Sequence, residues 1–130
     1  MTGLSGLKAL VVEDEGSVAF MIEDMLQELG CTVHASVARL EDARGIAQKA
    51  MVDFALLDVN LNGQLVFPVA EILRRRRIPF VFSTGYGASG ITDEFRNYPV
   101  LGKPFTLGDL QHKLAVALGE PDTLAGAAVP

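Results

Sequence analysis

The chain has 130 residues, 49% of them hydrophobic and 21% charged, with a single cysteine and a formal net charge of −5. That length fits one domain able to bury its own core. The composition excludes wholesale disorder, the lone Cys31 cannot close an internal disulfide, and no apolar run approaches the roughly 18 residues of a membrane helix. Residues 1–8 lack the charged-then-apolar layout of a signal peptide, so a cytoplasmic protein with no membrane partner is expected. The acidic balance disfavours nucleic acid as a partner. The charge is uneven: ten acidic and four basic residues precede Val66, and six acidic and seven basic follow from it. The acidic excess begins with the cluster Glu13-Asp14-Glu15.

Residues 7–12 (LKALVV) form an apolar run that suits a buried strand, closed by Glu13-Asp14-Glu15-Gly16. Helical spacing follows over 17–29, with Val18, Ile22, Met25, Leu26 and Leu29 on one face and Gly30 as the stop. Residues 31–35 (CTVHA) are strand-like, and Ser36 is placed to cap a second helix over about 38–50. A third buried strand covers 53–58 (DFALLD), and 60–63 (NLNG) has turn chemistry. A third helix runs over 65–76, where Pro68 fits only in the first turn. Residues 79–83 (PFVFS) make a fourth strand, before the glycine-rich stretch 86–90 and a short, weak helix from Ile91 to about Arg96. A fifth, short strand ends over 100–102. Thr106 opens a last helix, with Asp109 completing a capping-box variant, and the helix stops near Gly119. These elements make one domain over 1–119, and 120–130 reads as a mobile tail. Met1 and that tail are expected to bound a complete protein.

Five repeats of strand then helix argue a parallel sheet covered on both faces, with ligands at the carboxyl ends of its strands. There the pattern places Glu13 and Asp14 (strand one), Asp58 (strand three), Thr84 (strand four) and Lys103 (after strand five). Three crowded carboxylates repel one another and need a cation, and hard oxygen ligands select Mg²⁺. Asp14 and Asp58 would ligate it directly, Asn60 through its backbone carbonyl and Glu13 through water. With a cation to neutralise an incoming phosphoryl group, one carboxylate can act as nucleophile and form an aspartyl phosphate. Lys103 would pair with one phosphoryl oxygen and Thr84 would hydrogen-bond another.

The stretches VVEDE (11–15), LLDVNLNG (56–63), FSTGYG (82–87) and GKPF (102–105) resemble the receiver domain of two-component response regulators. The resemblance implies a flavodoxin-like, doubly wound (βα)5 fold with a five-stranded parallel sheet in the order 2-1-3-4-5. It implies Mg²⁺ as cofactor and phosphorylation of Asp58 by a sensor histidine kinase or histidine phosphotransfer protein. It also implies Thr84 as switch hydroxyl, Lys103 as the site lysine and a cis Lys103–Pro104 bond. One position departs from the pattern: Val100 stands where the family usually has an aromatic switch residue, and Tyr98 is two places out of register. PFVFSTGYG resembles an alphaproteobacterial subgroup with a Phe-Ala-Thr-Gly-type motif and no such aromatic, so ordering of residues 85–90 is expected to replace side-chain rotation.

Phe20 lies opposite the apolar stripe of the first helix, beside Glu23, Asp24 and Gln27; with Met21 it is the expected contact for a phosphoryl-donating partner. The run Arg74–Arg77 suits the end of the third helix. His34 and His112 are too isolated for a metal site or a triad, and Cys31 reads as core. Taken together, these features point to a non-enzymatic single-domain regulator that signals by contact with a downstream protein or shuttles phosphoryl groups. A receiver-like module that binds partners without phosphorylation is the alternative. A phosphatase of the haloacid dehalogenase type would need Asp-x-Asp on strand one, and a flavodoxin-like cofactor binder would need a phosphate loop where this chain has acids.

Overall fold

A computed structural model of the chain describes residues 4–85 and 90–119. The expected tail, 120–130, and most of the 85–90 loop lie outside the described residues. The elements are β1 (Lys8–Val12), α1 (Gly16–Glu28), β2 (Thr32–Val37), α2 (Leu40–Lys49), β3 (Phe54–Asp58), β4 (Asn60–Leu61), β5 (Gln64–Leu65), α3 (Phe67–Arg75), β6 (Phe80–Thr84), a 3₁₀ turn (Asp93–Phe95), β7 (Val100–Gly102) and α4 (Leu107–Leu118). Five parallel strands form one sheet in the order β2-β1-β3-β6-β7, the doubly wound order expected.

The central strands β1, β3 and β6 are largely apolar because both sheet faces are covered there, whereas the edge strand β2 (TVHASV) alternates exposed and half-buried residues. Successive side chains of β3 alternate between two cores. Ala55 and Leu57 pack with Leu10, Val12, Phe80 and Phe82 against Ala43 and Ala47 of α2 and Val69, Ala70 and Leu73 of α3. Phe54 and Leu56 pack with Ala9, Val11 and Val81 against Ile22 and Leu26 of α1 and Leu110 and Leu114 of α4. Cys31 is buried, its thiol donating to the Leu4 carbonyl at 3.3 Å, and burial pushes its pKa up. Among the described residues no helix is long and apolar enough to cross a membrane.

Several boundaries differ from the sequence expectation. Ser36 is not a helix cap: β2 runs on to Val37, paired with β1, and Arg39 stands at the start of α2. The far end of α2 is closed by Arg76, which donates to the carbonyls of Ala47 at 2.7 Å and Ala50 at 2.8 Å. Arg74 pairs with Glu71 and lies 4.9 Å from the centre of the Phe95 ring, and Arg75 also pairs with Glu71 at 3.1 Å. Part of the basic run is therefore internal structure. The turn expected over 60–63 is part of a hairpin that takes in Gln64 and Leu65, so α3 starts at Phe67; the turn residues Asn62 and Gly63 both have positive φ (53° and 88°), as a two-residue Asn-Gly turn requires. Thr106 and Asp109 form the expected capping box, and Gly119 closes α4 in the left-handed region.

Among the described residues, the short helix expected from Ile91 to about Arg96 is replaced by the 3₁₀ turn Asp93–Phe95. Packing holds it: Ile91 and Phe95 are buried, and Tyr98 stacks on Phe80 with ring centres 4.4 Å apart. Phe95 also stacks on Phe67 at 5.7 Å and meets Phe82 edge-on. Val100, in β7, pairs with Phe82 of β6. The Lys103–Pro104 bond is cis, as expected.

Phe95→Ala is expected to cost about 3–5 kcal/mol in urea unfolding, because a ring with no exposed surface leaves a cavity. Phe20→Ala, on a residue 66% exposed, is expected to stay within about 0.5 kcal/mol.

Candidate functional site

Parallel strands all point their carboxyl ends at one rim, so residues distant in sequence meet there. Glu13 follows β1 and donates its own N–H to the Val37 carbonyl of β2 at 3.0 Å, which holds it inside the sheet edge. Asp58 is the last residue of β3 and lies opposite Ser83 of β6. Thr84 ends β6, and its carbonyl accepts the Lys103 N–H at 2.9 Å. Asp14, Glu15, Asp58, Asn60, Asn62, Thr84, Gly85 and Lys103 line a cleft of about 420 Å³.

The lysine is the centre of the charge arrangement. Its Nζ lies 2.8 Å from Glu13 Oε1 and 3.3 Å from Asp58 Oδ2. Glu13 is 2% exposed, and apart from that ammonium its Oε1 has no hydrogen-bond partner. The other oxygen, Oε2, accepts the Glu15 N–H at 3.1 Å. Asp58 Oδ1 accepts the Asn60 N–H at 3.3 Å. Burial, a hydrogen bond with Asp14 and the nearby Glu13 charge push the Asp58 carboxyl up to about 7, against the opposing pull of Lys103. Burial also raises Asp14, but its bonds with Asp58 and the Asn62 N–H outweigh that and hold it below the ordinary range. Burial works against the Lys103 ammonium, yet Glu13 and Asp58 hold its pKa above the usual value.

Glu13, Asp14 and Asp58 each offer an oxygen within 4.8 Å of the others. Three carboxylates against one ammonium leave an excess of negative charge in a half-closed cleft. An all-oxygen donor set of this kind fits a hard divalent cation such as Mg²⁺. Every residue that sequence reasoning assigned to the rim lies at this cleft, Glu13 beneath it and the others lining it. Phe20 and Met21, on α1, are not among the residues lining it; Phe20 is exposed and Met21 half-buried against the core. The sequence reading missed Asn62, whose N–H donates to Asp14 Oδ2 at 3.0 Å. The signal was there: Asn-Gly between apolar residues marks a hairpin, but not where its tip lands.

The raised Asp58 pKa has a consequence for stability. Between about pH 4 and 7 the folded protein holds a proton that the unfolded chain has released, so metal-free stability falls as pH rises through that window. Asp58→Asn removes the loss. It is expected to match wild type near pH 4 and to be more stable by roughly 2 kcal/mol at pH 8 without divalent cations, read by urea unfolding across pH. Lys103→Met is expected to cost about 3 kcal/mol, since it strips a buried carboxylate of its counter-charge.

Comparison with known proteins agrees with this geometry. The family model for the response regulator receiver domain matches residues 9–115. SdrG from Sphingomonas melonis Fr1, a solution structure, is 41% identical with a TM-score of 0.79, covering 91% of this chain and 99% of that one. The receiver domain of sensor histidine kinase PA1611 from Pseudomonas aeruginosa PAO1, with magnesium coordinated in its active site cleft, is 28% identical with a TM-score of 0.72, covering 89% of this chain and all of that one. The transcriptional regulatory protein TcrA of Mycobacterium tuberculosis is 35% identical over 118 residues, 85% of this chain and 46% of TcrA. The chain thus spans about half the length of the curated relatives it matches. With the fold, the acidic cleft and the family match in agreement, the chain belongs to the response regulator receiver domains of two-component signalling.

Proposed function

We propose that this receiver domain accepts a phosphoryl group on Asp58 from a phosphohistidine of a sensor histidine kinase or histidine phosphotransfer protein. One observation carries the reading: the Asp58 carboxylate ends a central strand with the Lys103 ammonium 3.3 Å away and two further carboxylates within 4.8 Å. An oxygen of ionised Asp58 attacks phosphorus, the P–N bond to the donor imidazole breaks, and the imidazole leaves with the bonding pair. Asp58 must be ionised for this, and the Lys103 charge favours that form. As the phosphoryl group arrives, Lys103 pairs with one of its oxygens and Thr84 donates its hydroxyl to another.

The cofactor in this reading is Mg²⁺, held by Asp14, Asp58 and the Asn60 backbone carbonyl, with Glu13 acting through water. Its charge lets three carboxylates share the cleft with a phosphoryl group. The magnesium in the cleft of the PA1611 receiver and the BeF3-activated conformation solved for SdrG support the reading by likeness. The receiver unit spans 1–119 and works in the cytoplasm without nucleic acid or membrane as partner. Phe20 and Met21 on α1 meet the phosphoryl donor, because an aromatic ring on a polar helix face is a ready contact point. Output is contact with a downstream protein, or passage of the phosphoryl group onward.

Intact mass after incubation with phosphoramidate tests the reaction. Wild type is expected to gain one phosphoryl group only with Mg²⁺, Asp58→Asn none, and Lys103→Met about a hundredfold more slowly. Phe20→Ala is expected to react normally with phosphoramidate but about tenfold more slowly with a phosphorylated kinase. If wild type gains no mass and binds no beryllofluoride, Asp58 is not a phosphoacceptor and the phosphorylation-independent binding module stands instead.

A further inference from the structure

The hairpin after Asp58 is built for a purpose its size does not reveal. Its base is part of the core: Val59, Leu61 and Val66 are buried, and the Val66 N–H donates to the Val59 carbonyl at 2.9 Å. Its turn is Asn62-Gly63, both at positive φ. Its tip is fixed twice. The Gly63 N–H donates to Asn60 Oδ1 at 2.6 Å, and the Asn62 N–H donates to Asp14 Oδ2 at 3.0 Å. The second bond crosses from the loop after β3 to the loop after β1, 48 residues apart in sequence. Both asparagines line the cleft.

Asp14 is the least buried of the three acids and therefore the freest to turn away. A carboxylate has two oxygens and about four acceptor positions. The Asn62 N–H occupies one position on Oδ2 and restrains the group from one side, the Asp58 carboxyl meets it from another, and acceptor positions are left for the cleft. An N–H aimed this way needs a left-handed backbone, which Asn and Gly adopt readily and β-branched residues resist.

We infer that Asn62 is a positioning residue: the Asn62-Gly63 turn presents a backbone N–H that orients Asp14 and so sets the divalent-cation affinity of the cleft. The inference rests on the proposed role of Asp14 as a ligand. The contribution comes from the backbone rather than the side chain, which separates it from a ligand role for the Asn62 amide. Supporting groups of this kind typically tune metal affinity about 10–100-fold.

The test is Mg²⁺ affinity by NMR titration of the full chain, with hydrogen exchange on the metal-free protein. Asn62→Gly keeps the N–H and the left-handed backbone, and is expected to bind within about twofold of wild type. Asn62→Val distorts the turn, and is expected to bind about tenfold more weakly while unfolding in urea as one cooperative domain. Equal Mg²⁺ affinity in Asn62→Val overturns the inference, and so does a tenfold loss in Asn62→Gly. Exchange separates this failure from that of the metal reading. Asp14→Ala is expected to speed exchange of the Asn62 amide about tenfold and to leave the β3 amides unchanged; no acceleration overturns the inference alone. Wild type that binds no Mg²⁺ overturns the metal reading, and this inference with it.

Discussion

Lys103 lies between Glu13 and Asp58, both of them buried. Everything at the rim depends on that triangle. Removing a carboxylate from water is costly, and one ammonium cannot compensate three of them. Burial, the Asp14 hydrogen bond and the Glu13 charge therefore push the Asp58 carboxyl up to about 7 against the pull of Lys103, while bonds with Asp58 and the Asn62 N–H hold Asp14 low. A site in that condition is poised. In the proposed function, added positive charge beside Asp58 would favour its ionised form.

The sheet makes this triangle possible. Glu13, Asp58 and Thr84 are set by strands whose side chains pack into two cores, one on each face, so their positions are fixed by some of the best-packed residues in the molecule. The region after Thr84 is held differently. Where a fourth helix would lie, Phe95 and Tyr98 join Phe67, Phe80 and Phe82 in one aromatic cluster, and Arg74 lies over the Phe95 ring. The family's usual aromatic position is Val100, a β7 residue paired with Phe82. The aromatic bulk near this end of the sheet is thus built into the core and not mounted on β7 as a separate rotating side chain.

The hairpin links the two halves of the site. Asp58 leads directly into it, and its tip returns to Asp14. A movement of the tip and a change at either acid are therefore coupled through hydrogen bonds that the structure shows. The basic run at the end of α3 has the opposite character. Arg76 closes α2 and Arg74 covers Phe95, so these cations hold helices together.

Much of this was legible in the sequence because it depends on local pattern. Apolar runs of five or six residues, helical stripes, Pro68 in a first turn and the Thr106–Asp109 box each follow from side-chain chemistry within a few residues. The placing of Glu13, Asp14, Asp58, Thr84 and Lys103 at one rim follows from a further rule, that parallel strands share a carboxyl end. What the chain could not declare was anything settled by partners far away in sequence. Ser36 has the chemistry of a cap, yet pairing with β1 draws it into β2. Residues 91–96 have weak helical character, yet the packing of Phe95 and nearby Tyr98 among other rings leaves the 3₁₀ turn Asp93–Phe95 there. The Asn-Gly dipeptide fixes a turn by its own backbone preferences. That the turn's N–H meets Asp14 depends on two loops being brought together by the sheet, and only the tertiary structure decides that.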